Sequence, residues 1–146
     1  MYTREEMNVE LKQSLVPVLR ELGFNGSLPH FYRERADHVD LLCVQFSKYG
    51  GSFVVELSFA GPDRDNVCKY DKDKPPKKLR VYQTYRRLRL GAEQEGYDYW
   101  FAFDDTPLTG ITGTPAELAV KVVSLLRSKG VLWWKARRDD DVTSDD

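Results

Sequence analysis

The sequence lacks the features that mark disulfide-rich, membrane-spanning or secreted proteins. It has two cysteines in 146 residues, Cys43 within an apolar run and Cys68 within a polar stretch, which is too few for a disulfide framework. We therefore expect both to be free thiols. No apolar run approaches the roughly 18 residues of a membrane span, and the first ten residues lack the basic and then apolar order of a signal peptide. These absences predict a cytoplasmic protein without membrane association.

Motifs that indicate catalysis or a cofactor are also absent. No phosphate-binding loop, nucleophile elbow or paired acid motif occurs in the sequence. His30, His38 and the two cysteines could be considered as metal ligands, but no pair has the short fixed spacing of a zinc site. Asp104 and Asp105 could act as acid and base or hold a cation, yet adjacent aspartates at a strand end are more often turn or cap residues. We expect no enzymatic activity, no metal and no cofactor.

What the sequence does contain is a clear helix pattern near each end. Thr3 with Glu6, and Thr114 with Glu117, each form a capping box, and Pro115 occupies the first position of the second helix. Apolar residues follow each box at spacings of three and four, as on a helix with one buried face. They are Met7, Leu11, Leu15, Val18, Leu19 and Leu22 in the first helix, and Leu118, Val122, Leu125 and Leu126 in the second.

The ends of these helices are predicted by glycine and proline. Gly23 and Gly130 are expected to end the first and second helices. Pro17 predicts a kink or break near residues 14–16, because its ring clashes with the preceding turn. Trp133 and Trp134 follow the second helix. Adjacent tryptophans cannot both face inward from one strand, so we expect at least one to be partly exposed, to pack on another element or to meet a partner.

Alternating apolar residues and β-branched or aromatic composition predict strands between the two helices. The predicted strands are residues 31–33, 39–46, 53–59, 87–90 and 97–103. The first three are consecutive and are separated by turns around residues 36–38 and at Gly50-Gly51, which favours an antiparallel meander. In residues 53–59 the odd-numbered side chains are expected to face the core, with the strand half-buried.

These elements predict one α+β domain, a mainly antiparallel meander of four to six strands packed against an N-terminal and a C-terminal helix. The domain is expected to span residues 1–136, and the acidic residues 137–146 are expected to form a disordered tail. The predicted core consists of Leu15, Leu19, Val44, Phe53, Val55, Leu57, Leu90, Phe101 and Leu125.

Charge is segregated along the chain although the formal net charge is −1. Residues 62–90 contain ten Lys or Arg against four Asp, a net of +6. Part of this segment, residues 61–78, is predicted to be a long loop that is either functional or disordered. Clustered cations beside an aromatic can follow a phosphate backbone, although the interleaved Asp71 and Asp73 would repel phosphates. Possible anion-binding residues are Lys74, Lys77, Lys78, Arg87 and Arg89.

Several segments together resemble a known bacterial family. They are LGF at residues 22–24, FYR at 31–33, VQFSK at 44–48, SFVVEL at 52–57, RLRLG at 87–91 and DYWF at 98–101. Over about four fifths of the chain they resemble the family labelled domain of unknown function 4304. The resemblance implies no catalytic residues, and because some members lie beside polymorphic toxins, it implies an immunity role for those members. The loop at residues 69–78 and the acidic tail depart from the short members, so partner specificity does not transfer.

Two functions from different classes are therefore expected. The first is a non-enzymatic binding protein, a cytoplasmic immunity protein that neutralises a cognate toxin and is a monomer or weak homodimer when free. Exposed aromatics would anchor it, and acidic side chains would enter a basic toxin cleft. The predicted partner-binding residues are Glu93, Glu95, Tyr97, Tyr99, Asp104, Asp105 and Trp133. The alternative is a small nucleic-acid-associated domain that uses the basic residues 62–90.

Overall fold

The computed structural model describes the backbone of residues 1–144 and the side chains of residues 1–140. The helices are α1 (Arg4–Glu21), α2 (Pro115–Leu125) and α3 (Val131–Ser144). The strands are β1 (Asn25–Ser27), β2 (His30–Arg35), β3 (His38–Phe46), β4 (Gly51–Ala60), β5 (Leu88–Arg89), β6 (Trp100–Asp104) and β7 (Gly110–Thr112). Within this part of the chain, no helix is long and apolar enough to cross a membrane.

The seven strands described form one sheet in the order β1-β2-β3-β4-β6-β7, and β5 also pairs with β4. Strands β2 to β4 form the predicted antiparallel meander, β1 extends it by a short strand that was not predicted, and β6 and β7 are the parallel exception. The turn between β2 and β3 places Ala36 at φ +52°. The predicted α+β fold, with an N-terminal helix, a mostly antiparallel sheet and a C-terminal helix, is confirmed. The last predicted strand begins later than expected, at Trp100.

Helix α1 begins and ends as its sequence predicts. The Thr3 hydroxyl accepts from the Glu6 N–H at 3.1 Å, and the Glu6 carboxylate accepts from the Thr3 N–H at the same distance, which completes the capping box. Gly23 follows the helix at φ +93°, the left-handed conformation that a glycine cap provides. Pro17 lies inside the helix, which continues through it from Arg4 to Glu21, so the predicted break is not present.

One face of the sheet, here called the first face, packs against α1, α2 and α3. Leu42 of β3 lies opposite Leu57 of β4, and Leu57 opposite Leu88 of β5, so one row of leucines crosses three strands. All nine predicted core residues are buried and belong to one apolar cluster with this row. The core prediction is therefore confirmed. It was possible because the spacing of apolar residues in helices and in strands indicates which side chains face inward.

The opposite face of the sheet, the second face, is also covered. All ten residues of β4 are buried, whereas the alternating sequence predicted a half-buried strand. Residues 61–87 run across this face in three short 3₁₀ turns, Lys69–Asp71, Pro76–Lys78 and Val81–Gln83. The covering segment packs Val67, Leu79 and Val81 against β3 and β4 in a second apolar cluster. The predicted long loop is thus a structural layer.

The C-terminal segment differs most from the sequence prediction. Gly130 does not end the second helix, because a π-helical turn, Leu126–Gly130, joins α2 directly to α3. Helix α3 continues through residues 137–144, where a disordered tail was predicted, and residues 145–146 lie outside the described residues. Two hydrogen bonds help to hold it on the sheet. The Trp134 Nε1 donates to the Ser58 carbonyl at 2.9 Å, and the Arg138 Nη1 donates to the Asp40 carboxylate at 2.9 Å.

Candidate functional site

A polar row of side chains crosses the second face beside the covering segment. His30 of β2 lies opposite Cys43 of β3, Cys43 opposite Glu56 of β4, and Glu56 opposite Arg89 of β5. The next row along the sheet, which contains Leu41 and Ser58, is covered by residues 61–87. The polar row therefore lies where the cover is incomplete.

Glu56 is the centre of this row and is only 8% exposed. Its carboxylate accepts from the Arg89 Nε at 2.8 Å and from the Arg87 Nη1 at 3.4 Å. Arg89 also donates to Asp98 at 2.7 Å and lies over the Trp100 ring at 5.3 Å. A buried carboxylate requires such partners, and these two arginines supply them.

Backbone carbonyls and a second acidic residue fix the neighbouring guanidinium groups. The Arg87 Nη2 donates to the carbonyls of Tyr82 and Thr84 at 3.0 and 2.8 Å. Arg86 makes a two-point contact with Glu95 at 3.0 and 2.9 Å, and Arg137 of α3 reaches the same carboxylate at 3.4 Å. The Arg86 N–H also donates to the Asn66 side chain at 2.8 Å, which fixes the backbone here. These arginines are therefore held in defined positions.

Exposed tyrosines lie beside these arginines. Tyr82, Tyr85 and Tyr97 are 64%, 65% and 55% exposed, respectively. We define the tyrosine–arginine surface as Tyr82, Tyr85, Arg86, Arg87, Arg89 and Tyr97. Two depressions share Glu56 and Arg87 as a common wall and contain the rest of this surface. The first, of about 560 Å³, lies on the His30 side, and the second, of about 430 Å³, lies between Arg86 and Tyr97.

The polar row contains one thiol, that of Cys43, and it is buried. Burial, with the nearby Glu56 carboxylate next in importance, raises the pKa of the Cys43 thiol to about 12. Cys43 is therefore a neutral thiol at physiological pH and a poor nucleophile. Among the residues described, no group of three or more His, Cys, Asp or Glu side chains is placed to hold a metal ion.

The structure brings together only some of the predicted partner-binding residues. Glu95 and Tyr97 both line the second depression, and Trp133 lies near it because Arg137 stacks on its ring at 5.4 Å and contacts Glu95. Trp133 also packs edge-on against Phe59 at 5.8 Å, so it is half-buried. Tyr99 packs edge-on against Phe101 in the same half-buried way.

The predicted acidic rim is divided between two places. Asp104 lies opposite Gly51, five positions along β4 from Glu56, which corresponds to roughly 16 Å. Asp105 follows it in the chain and accepts from the Thr106 N–H at 2.8 Å. Glu93 is exposed and precedes Glu95 by two positions, but it does not line the second depression. One continuous rim from Glu93 to Asp105 therefore does not form.

The predicted anion-binding residues are likewise separated. Lys77 and Lys78 belong to the turn Pro76–Lys78, which packs beside β2 near the β2–β3 turn, and Lys74 pairs with Asp71 at 3.1 Å. Arg87 and Arg89 lie instead beside Glu56. The sequence interpretation missed Glu56, Tyr82 and Tyr85 as site residues. The available signal was the density of tyrosine and arginine in YQTYRRLR, residues 82–89.

Comparison with known proteins identifies the family but no function. No curated protein and no solved structure gives a significant match to the chain. A family model described as a domain of unknown function, DUF4304, matches residues 15–136. This range includes the sheet, the covering segment, α2 and the adjacent pair Trp133 and Trp134. The chain belongs to the DUF4304 family.

Proposed function

We propose that this chain is a non-enzymatic protein-binding domain that contacts its partner through the tyrosine–arginine surface. The observation that carries the proposal is that three exposed tyrosines, Tyr82, Tyr85 and Tyr97, line the two depressions together with arginines already fixed by hydrogen bonds. Tyrosine and arginine are enriched among the residues that dominate binding energy at protein interfaces. Because the arginines are held in place before binding, less side-chain entropy is lost when the partner docks.

The partner we propose is a bacterial toxin domain, which would make this chain a cytoplasmic immunity protein. The support for this finer proposal is the family resemblance. The contacts we propose differ, however, from the acidic rim that the sequence predicted. Glu95 and Asp98 are engaged by Arg86 and Arg89, so they hold the surface together, and Tyr97 with its two neighbouring tyrosines provides the anchors.

The test is co-expression with the product of an adjacent gene, scored by rescue of growth and by co-purification. Tyr97→Ala and Tyr85→Ala should each weaken the complex by about 2 kcal/mol or more, which is about thirtyfold in Kd. Tyr70→Ala is the matched control, since Tyr70 is 90% exposed on another part of the covering segment.

Each contrary outcome has a distinct meaning. If no neighbouring product is toxic and none co-purifies, the immunity function is refuted. If a complex forms but Tyr70→Ala weakens it as much as Tyr97→Ala does, the proposed surface is wrong. Unchanged folding of each variant, measured by thermal unfolding, ensures that the comparison reports on binding.

A further inference from the structure

The first depression lies at the edge of the sheet beyond His30, the residue at which the pairing of β2 with β3 stops. The Val44 N–H donates to the Pro29 carbonyl at 3.0 Å, and β3 then continues to Phe46 beyond the β2–β3 ladder. The first half of α1 passes beside this open end of β3. Together they enclose about 560 Å³, within the range of about 300–1,000 Å³ that is usual for small-molecule sites.

One wall of this cavity is a polar stripe of α1. Arg4, Asn8 and Lys12 recur at intervals of four and so lie on one side of the helix. This stripe is adjacent to the buried stripe that contains Met7 and Leu11. Arg4 lies over the Phe46 ring at 4.6 Å. Among the side chains described, neither Arg4 nor Lys12 has an ion-pair partner, so both positive charges are available to a ligand.

The opposite wall adds a third cation and one acid. Arg87 faces the cavity together with Glu56, the one carboxylate among the described lining residues. Glu56 is already engaged by both Arg87 and Arg89. The charges of Arg4, Lys12 and Arg87 therefore exceed the negative charge of the lining by two, and the cavity favours an anion.

One buried polar atom in the lining has no hydrogen-bond partner among the residues described. The His30 Nδ1 is buried and makes no hydrogen bond to any described residue. Burial, followed by the charge of Arg80, lowers the pKa of His30, so the ring is neutral at physiological pH. A buried polar nitrogen without a partner is unfavourable, and a ligand group in the cavity would satisfy it.

We propose that this cavity binds a small organic anion, a carboxylate or a phosphate monoester carried on an aromatic or apolar body. The anionic group contacts Arg4 and Lys12, and its remaining oxygen or a neighbouring polar group bonds to His30. The body packs against the apolar part of the lining, which includes Leu28, Pro29, Val44, Phe46 and the Tyr82 ring. This inference does not depend on the proposed protein partner.

The experiment is calorimetric titration of the full chain with phenyl phosphate and with benzoate as the two probes. Inorganic phosphate tests the anionic group alone, and benzyl alcohol tests the ring alone. We expect one of the two probes to bind with one-to-one stoichiometry and a Kd below about 1 mM. Both single-part probes should bind at least tenfold more weakly. The better probe identifies the anion as carboxylate or phosphate.

Charge-matched variants locate the site. Arg4→Gln and Lys12→Gln should each weaken the better probe about tenfold, and Lys121→Gln, on the exposed side of α2, should leave it unchanged. His30→Phe keeps a ring but removes the nitrogens, and it should weaken the probe without lowering the melting temperature. Tyr97→Ala, in the other depression, should leave the probe unaffected even though it weakens the protein complex.

Two results would overturn the proposal. One is the absence of saturable binding by either probe at about 10 mM, a concentration about tenfold above the expected Kd. The other is a loss of binding in Lys121→Gln that equals the loss in Lys12→Gln, which would show that net charge alone attracts the probe.

Discussion

The two faces of the sheet are buried to a similar degree but by different means. The first face contacts helices whose apolar residues repeat with the helical period, and its cluster contains twenty-two buried residues among those described. The second face is covered by residues 61–87, which have only short 3₁₀ turns, and its cluster contains seven. Regular periodicity is therefore not needed to cover a sheet. An irregular cover is less complete, and both depressions of the candidate site lie at its margin.

The largest expected effect compares the same substitution on the two faces. Leu57 and Leu41 are both 0% exposed, one in each cluster. Leu57→Ala should lower the free energy of unfolding by about 2 to 5 kcal/mol, because the packed helices cannot move to fill the space that the lost side chain leaves. Leu41→Ala should lower it by about 2 kcal/mol, the lower end of that range, because an irregular segment relaxes more easily.

Chemical denaturation measures both losses, and Leu132→Ala is the control because Leu132 is 63% exposed on α3. If Leu57→Ala reduces stability by only a few tenths of a kcal/mol, the core assignment is wrong. If Leu41→Ala is as harmful as Leu57→Ala, the second face is packed as rigidly as the first, and the contrast between the faces fails.

The next effect concerns the side chain that fastens the cover to the sheet. Asn66 donates to the Phe59 carbonyl at 2.9 Å and accepts from the Arg86 N–H at 2.8 Å. Asn66→Ala leaves a buried carbonyl and a partly buried N–H without these partners and should reduce stability by about 1 to 3 kcal/mol. Gln94→Ala removes an exposed amide and should have little effect. A loss no greater than that of Gln94→Ala would mean that apolar contacts alone hold the covering segment.

The contrast between the faces also explains what could be predicted from sequence. The first face was predictable because the stripes of α1 and α2 and the alternation in β4 each identify inward-facing residues by spacing. The course of the covering segment was not predictable. It depends on single contacts such as those of Asn66, and such contacts produce no periodic pattern in the sequence. Helix α3 was missed for a similar reason. Its charged end was read as a solvated tail, whereas Arg138 is held by the buried Asp40 of β3.

The candidate site was predicted only in parts. Glu95, Tyr97, Arg87 and Arg89 were all identified, but in two separate groups with different roles. Their proximity depends on the pairing of β5 with β4 and on the course of the covering segment, neither of which is specified by local sequence. Glu56 was interpreted as one of the outward residues of a half-buried strand. The cover changes its environment, and burial then requires the arginines around it.

A smaller effect is the local opening of the second face, which the buried thiol can report. In a Cys68→Ser background, Cys43 should react slowly with a disulfide reagent, since its pKa of about 12 leaves almost no thiolate and its side chain is buried. Adding Asn66→Ala should accelerate the reaction by about tenfold for each 1.4 kcal/mol of local stability lost. Adding Leu132→Ala should not change the rate. If Leu57→Ala also accelerates the reaction, and both accelerations follow the loss of global unfolding free energy of each variant, the two faces open together.

The smallest expected effect is on the cations of the covering segment. Replacing Lys74, Lys77 and Lys78 together by Gln should change the free energy of unfolding by about 0.5 kcal/mol or less, because the segment is held by buried apolar contacts and by Asn66.

We also expect no single-stranded oligonucleotide binding tighter than about 10⁻⁴ to 10⁻⁶ M at physiological salt, since most nearby arginines are already paired with Glu56 and Glu95. The measurement is fluorescence anisotropy at several salt concentrations, with Lys121→Gln as the control for net charge. A tight complex that weakens steeply with salt and disappears in the triple variant would give the second face a nucleic-acid-binding function in place of the protein-binding function proposed here.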